Sequence, residues 1–188
     1  MNIFIKAILV FLTGFSALVY GSDDEEFRSE FVQEGTFYSF RGSFVVEAEY
    51  ECLLDVIYRF EHISRYAAGA HSVELGCEGE NWYEVTYTYQ RFRIFENQST
   101  WRRTLKRDER TVVFEMITNR TNLGIMPEML SSQGYYHIEH ENGGYRVEYF
   151  QECTLSKSLL NGVYIKTARN EAIEFLHDFK KYIENICK

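Results

Sequence analysis

The stretch 158-SLLNGVYIKTARNEAIEFLHDFKKYIENI-186 sets Leu159, Leu160, Val163, Ile165, Ala168, Ala172, Ile173, Leu176, Phe179, Tyr182, Ile183 and Ile186 at spacings of three and four. That period predicts a single amphipathic helix long enough to cross a small domain, with one apolar stripe that needs a surface to lie on. The surface is supplied upstream. From His71 to Cys153 the chain alternates at period two, interrupted by turn-like residues at Glu78 to Asn81, Glu96 to Gln98, Lys106 to Arg110 and Asn142 to Gly144, which gives six strands. Before them, 37-FYSFRGSFVVEAEY-50 reads as a strand with Phe44, Val46 and Ala48 on one face. Leu53, Leu54, Ile57, Tyr58 and Phe60 then follow a helical spacing, and a second short helix through 61-EHISRYAA-68 ends at Gly69. The expected architecture is α+β: a seven-stranded antiparallel sheet wrapped around a long C-terminal helix, with two short helices between strands 1 and 2.

The rest of the composition narrows function by exclusion. A chain of 188 residues with 45% hydrophobic residues and one proline suits a single packed domain. Twenty Lys and Arg against 28 Asp and Glu leave a net charge of -8, which opposes a grip on the phosphate backbone of nucleic acid. Residues 1–21 read as a secretory signal: one cation at Lys6, an apolar run from Ala7 to Tyr20, then Gly21 and Ser22, with cleavage expected after Gly21. The run is short and lacks a following cluster of positive charge, so no stable membrane insertion is expected after cleavage, while transient membrane contact stays open. Residues 22–36 are acidic, with Phe27 and Phe31 the large apolar anchors, and read as a solvated leader before a domain over 37–188. The expected localisation is secreted or periplasmic. The sequence is silent on oligomeric state.

In 82-WYEVTYTYQRFRIF-95, Tyr83, Val85, Tyr87 and Tyr89 share one face, expected to be concave, with Arg91 and Arg93 in the same alternation. Inside, these arginines would need a partner such as Glu115; a bulge after Gln90 would instead turn Phe92 and Ile94 inward and the arginines out. Both registers stand on sequence. The connection 119-NRTNLGIMPEMLSSQG-134 is long and apolar, as are loops that cover something. No nucleophile motif, phosphate-binding glycine loop or metal-ligand spacing occurs, so no catalytic residue, cofactor or metal is assigned. His62, at the mouth of the expected cavity, is read as a surface histidine in preference to a proton carrier, since no Asp is placed to orient it. The cysteines Cys52, Cys77, Cys153 and Cys187 allow three disulfide connectivities in an oxidising compartment, and some could simply be buried thiols.

The order strand, two helices, six strands, long helix resembles the helix-grip fold of the START-like group, which includes polyketide cyclases and birch-pollen-type allergens. The resemblance covers residues 37 to 187 and is carried by 44-FVVEAEYECLLDVIYRFEHISRYAAGAHSVELG-76 and by 143-GGYRVEYFQEC-153, similar to that group's last strand. The proline often found after Tyr66 in the group is replaced by Ala67-Ala68-Gly69. The resemblance implies a sheet order 1-7-6-5-4-3-2 and an apolar cavity between sheet and helix. It also implies a Cys52–Cys187 disulfide, with Cys77–Cys153 as a weaker second pair.

On that reading the chain is an exported carrier of a small hydrophobic or amphipathic ligand, lipid or aromatic. Tyr83, Val85, Tyr87, Tyr89 and Arg91 would line the cavity from one strand. Phe114, Glu115, Met116, Tyr136, Ile138, Val147 and Tyr149 would do so from later strands, and Leu160, Tyr164, Ala168 and Ile173 from the helix. Phe60, Tyr66 and the loop residues Leu123, Ile125, Met126 and Met129 would form the gate. The alternatives are a cyclase-like enzyme acting on an aromatic precursor, which requires an inward arginine and Glu115, and a secreted interaction module whose core is filled by its own side chains.

Overall fold

The computed structural model describes residues 18–23, 27–67, 69–91, 95–121, 126–141 and 143–188. Three strands open the chain, β1 (Leu18–Asp23), β2 (Phe27–Glu34) and β3 (Phe37–Val46), followed by helices α1 (Tyr50–Tyr58) and α2 (Phe60–Tyr66). Strands β4 (Ser72–Glu78), β5 (Trp82–Arg91), β6 (Phe95–Lys106), β7 (Thr111–Thr121), β8 (Met129–Glu141) and β9 (Gly144–Leu155) lead into α3 (Asn161–Ile186). All belong to one antiparallel sheet of order β1-β2-β3-β9-β8-β7-β6-β5-β4. From β3 onward this is the expected order. Among the described residues the sheet nonetheless has nine strands rather than seven, because the chain before Phe37 adds a hairpin to its edge.

Residues 27–34, expected to be a solvated leader, are thus part of the sheet. Phe27 pairs with Phe44 and Phe31 with Phe40 in register, and both enter the core, at 9% and 4% exposure. Arg28 and Glu30 point the other way and stay exposed, which is the alternation of a half-buried strand. The expected signal peptide lies outside the described residues up to residue 17.

The concave face is built by strict alternation. On β3, Tyr38, Phe40, Gly42, Phe44 and Val46 point inward, and α3 answers with Ile165, Leu176, Phe179 and Ile183, all buried. Each such large apolar side chain contributes roughly 1.5–3 kcal/mol on burial. Phe44 meets Phe179 edge-on, with centroids 6.2 Å apart. Gly42 lets the helix approach: a Cβ there would stand 2.2 Å from Leu176 Cδ1. The apolar side of α1, Leu53, Leu54, Val56 and Ile57, seals the end of the grip against this core.

A disulfide joins Cys52 on α1 to Cys187 just past α3, with Cα atoms 5.8 Å apart. The second expected pair does not form: Cys77 is a free exposed thiol and Cys153 a free buried one. Strand order gives the reason. Cys77 sits on the edge strand β4 and Cys153 on β9, five strand spacings away, or about 24 Å across the sheet, far beyond disulfide reach.

Candidate functional site

The site is the inner surface of β5, β6 and β7 where it faces α2 and α3. α3 packs along β3 and against α1 and α2, so it seals one half of the concave face. Over the other half the inward side chains are aromatic and incompletely covered. Tyr83 and Val85 are buried against Ile63 of α2, whereas Tyr87, Trp101 and Met116 are half-buried and Tyr89 keeps 37% of its surface. Tyr164, Ala168, Ala172 and Ile173 on the sheet-facing side of α3 are half-buried as well. A wall of half-polar rings that keeps accessible surface beneath a helix suits an amphipathic guest.

At the inner end of this surface stands Arg103 of β6, 5% exposed. Its Nη2 donates to the backbone carbonyl of Ile57 at 2.6 Å, in the last turn of α1, where helix carbonyls lack partners and a cation is favoured. Tyr83 donates to the carbonyl of Tyr58 at the same helix end, and Tyr66 to that of Ile57 at 3.5 Å. The guanidinium lies 5.4 Å from the ring centre of Tyr136 and beside the hydroxyls of Tyr66, Tyr83 and Tyr87. Burial pushes the phenols of Tyr83, Tyr87 and Tyr136 above their ordinary range, and the adjacent guanidinium pulls each partly back. The folded chain therefore keeps these protons where the unfolded chain begins to lose them, at about pH 10. Their contribution to stability is full below that pH and is lost as the pH rises above it.

No family model matches the chain, and no curated protein matches it. Solved structures do. Human StAR-related lipid transfer protein 5 superposes with a TM-score of 0.67 at 10% identity, covering 94% of this chain and 89% of that one. A STAR-related lipid transfer protein from Xanthomonas axonopodis gives 0.66 at 11%, covering 88% and 98%. The fold is START-like. The Zhui aromatase/cyclase from Streptomyces sp. R1128 shares it at a TM-score of 0.57 and 12% identity, over 80% of this chain and 91% of that one. The START-like framework thus accommodates neighbours described by both names, lipid transfer and cyclase, and these identities establish shape alone.

Within that framework Phe60, Tyr66 and Tyr87 pack against one cluster formed by Ile63 of α2 with Tyr83 and Val85 of β5, because α2 closes over β5. Phe114, Tyr136 and Tyr149 form a ring cluster, with Phe114 stacked on Tyr149 at 5.7 Å. Ile138 and Val147 are fully buried in the main core. Tyr66, expected at the gate, is packed among Phe179, Phe175 and Tyr182, its ring centre 4.6 Å from that of Phe179. Glu115 is a correction: it is exposed on the convex face of β7, opposite in parity to the inward Phe114 and Met116. The side chain of Arg91, and Arg93, Leu123 and Ile125 entirely, lie outside the described residues. Met126 is half-buried, and the chain after it is tied to the segment between β9 and α3: the Glu128 amide donates to Ser156 Oγ at 2.8 Å. Leu160 is half-buried where α3 begins.

Arg103 is the buried site residue that sequence reading missed. Its signal was present, since Trp101, Arg103 and Leu105 alternate with Arg102 and Thr104, and two adjacent arginines in a strand must face opposite ways. Arg102 takes the outer face, donating to Glu84 Oε1 at 2.9 Å and lying over the Trp82 ring at 4.7 Å. His62 also departs from expectation. It is largely covered, with Nδ1 2.9 Å from the Tyr182 hydroxyl and Nε2 3.7 Å from Asp55. A separate surface groove of about 290 Å³ between α1 and the β5–β6 strands is filled with charge, Glu51 facing Arg107 and Asp55 facing Arg59. Leu54, Tyr58 and Leu105 supply the apolar part of its lining between these ion pairs.

Proposed function

We propose that the chain is an exported carrier that shelters a small hydrophobic or amphipathic molecule between β5–β7 and α3. One observation carries the reading: Tyr87, Tyr89, Trp101 and Met116 face inward yet keep accessible surface, while the neighbouring half of the same face is sealed by α3. Apolar contact there supplies affinity at roughly 25 cal/mol per Å² buried, before the costs of association. The lipid-transfer neighbours support a fold able to hold such a guest. The cyclase-like alternative loses ground because Glu115, its intended carboxylate, is on the outside of the sheet. Export rests on the signal-like residues 1–21. Cleavage after Gly21 would remove most of β1 and leave β2, anchored by Phe27 and Phe31, as the edge strand. No helix among the described residues is long and apolar enough to cross a membrane.

The reading is tested by native and then denaturing mass spectrometry of the protein purified with its disulfide intact, coupled to solvent extraction. A reproducible hydrophobic molecule released only on denaturation is the expected result. In parallel, Tyr87→Ala should weaken binding of the neutral probe N-phenyl-1-naphthylamine by about five- to fifty-fold, the size of a truncated aromatic contact. Its thermal midpoint should move by only a few degrees, since Tyr87 is half-buried. A variant that loses stability but binds the probe unchanged would remove Tyr87 from the lining.

A further inference from the structure

Among the described residues Arg103 is the only buried charged side chain, and it has no carboxylate within ion-pair distance. Everything around it is a neutral dipole: the Ile57 carbonyl on Nη2, the Tyr136 ring, and the phenols of Tyr66, Tyr83 and Tyr87. Dipoles solvate a cation, and a helix C-terminus attracts one, but together they leave its full charge uncompensated in a site of low dielectric. Its Nε–H is buried with no acceptor among the described residues. Buried charges are ordinarily paired, and a buried donor without a partner is rare enough to require a reason. The missing partner is a single negative charge.

The surroundings define who could bring it. Tyr83 and Tyr136 are buried, and Tyr66 is packed under Phe175 and Phe179 of α3, so the half-buried Tyr87 is the neighbour of Arg103 that borders the uncovered aromatic surface, the side from which a ligand would approach. The phenols of Tyr87 and Tyr136 lie beside Arg103, near enough for its charge to act on them, and a neutral phenol has a proton to donate to a ligand. One guanidinium and flanking phenol donors match the planar, two-oxygen geometry and single charge of a carboxylate. A dianionic phosphate monoester would leave an excess charge buried. We propose that the molecule held between the sheet and α3 is an amphipathic carboxylic acid, its carboxylate paired with Arg103 and its apolar body lying along Tyr87, Tyr89, Trp101 and Met116. This rests on the carrier reading and specifies its ligand class.

The test compares cis-parinaric acid with its methyl ester, two fluorescent probes with the same tail, on the delipidated, disulfide-bonded protein at pH 7.5. The acid is expected to bind at least about tenfold tighter than the ester, as a buried charge-assisted hydrogen bond requires. In Arg103→Gln the ratio should fall to about one, and Arg103→Lys should keep part of the preference, since it retains the charge and loses the fork. Because Arg103→Gln could also loosen the end of α1, each variant is first checked by thermal melting; the acid-to-ester ratio of the unaltered protein needs no variant. Equal binding of acid and ester overturns the acid assignment and leaves the carrier reading standing. A preference for acid that survives in folded Arg103→Gln overturns the role of Arg103. Failure of the acid, the ester and N-phenyl-1-naphthylamine alike, with nothing extracted, overturns both.

Discussion

Replacing Cys52 or Cys187 by serine is expected to lower the thermal midpoint by roughly 5–15 °C, one of the largest effects of any single change in this chain. The bridge closes a loop across a sequence separation of 135 residues, so it restricts almost the whole unfolded chain from α1 to the end of α3. Loop closure on that scale contributes about 2–5 kcal/mol, a substantial part of the 5–15 kcal/mol by which domains of this size are stable. In the folded state it fixes the C-terminal end of α3, where Phe179 and Ile183 are buried. The other end of α3 carries no disulfide, and Leu159 and Val163 stand exposed there. Amide exchange should therefore be faster over 161–172 than over 176–186, and reduction should speed the second segment toward the first. Calorimetry with and without reductant measures the main effect; an unchanged midpoint would mean that packing of α3 alone carries the end of the grip.

How far the sequence could be read depended on whether one residue's environment is made by its own strand or by a distant element. The alternation of 82–91 and the three-and-four spacing of 159–186 are local; the first gave the right strand and face, and the second gave the helix, although it starts at Asn161 and Leu159, Val163 and Ile186 of the expected stripe are exposed. β2 was concealed by its charge. Glu30, Glu34 and the acidic residues before it dominate the composition, and two phenylalanines four apart do not announce a strand until Phe40 and Phe44 are set opposite them in β3. Glu115 was decipherable, since its neighbours Phe114 and Met116 occupy the inner face and a strand cannot turn three successive side chains inward. Arg103 was half legible. Alternation placed it inside, but what stabilises it there is the carbonyl of Ile57, 46 residues earlier, at a helix end whose position only the packed fold supplies. The free state of Cys153 belongs to the same class: it is decided by the five strand spacings that separate β9 from β4.

Gly134→Ala should be the most damaging conservative substitution in the sheet, with an expected loss of about 3 kcal/mol or more, at or beyond the upper end of ordinary overpacking. Gly134 lies on β8, opposite Phe114 on β7 and Gln151 on β9. A Cβ there would stand 2.1 Å from the Phe150 carbonyl oxygen and 2.5 Å from the Phe114 ring. The ring cannot retreat freely, because it stacks on Tyr149 and leans on Tyr136 and Trp101. The carbonyl can retreat only by distorting the β8–β9 ladder. Gly42→Ala is the control: its Cβ would meet Leu176 Cδ1 at 2.2 Å, the tip of a flexible side chain that can rotate at smaller cost. Urea unfolding of the two variants should place the Gly134→Ala midpoint well below that of Gly42→Ala, with similar slopes. If instead Gly42→Ala were the weaker protein, the tightest point of the grip would be the crossing of α3 over β3 rather than the aromatic floor at Phe114. The floor would then have room to shift, and an alanine at 134 would reshape the site rather than unfold it. Probe affinity measured on the same variant distinguishes these outcomes, because a shifted Phe114 changes the gap while a broken ladder abolishes it.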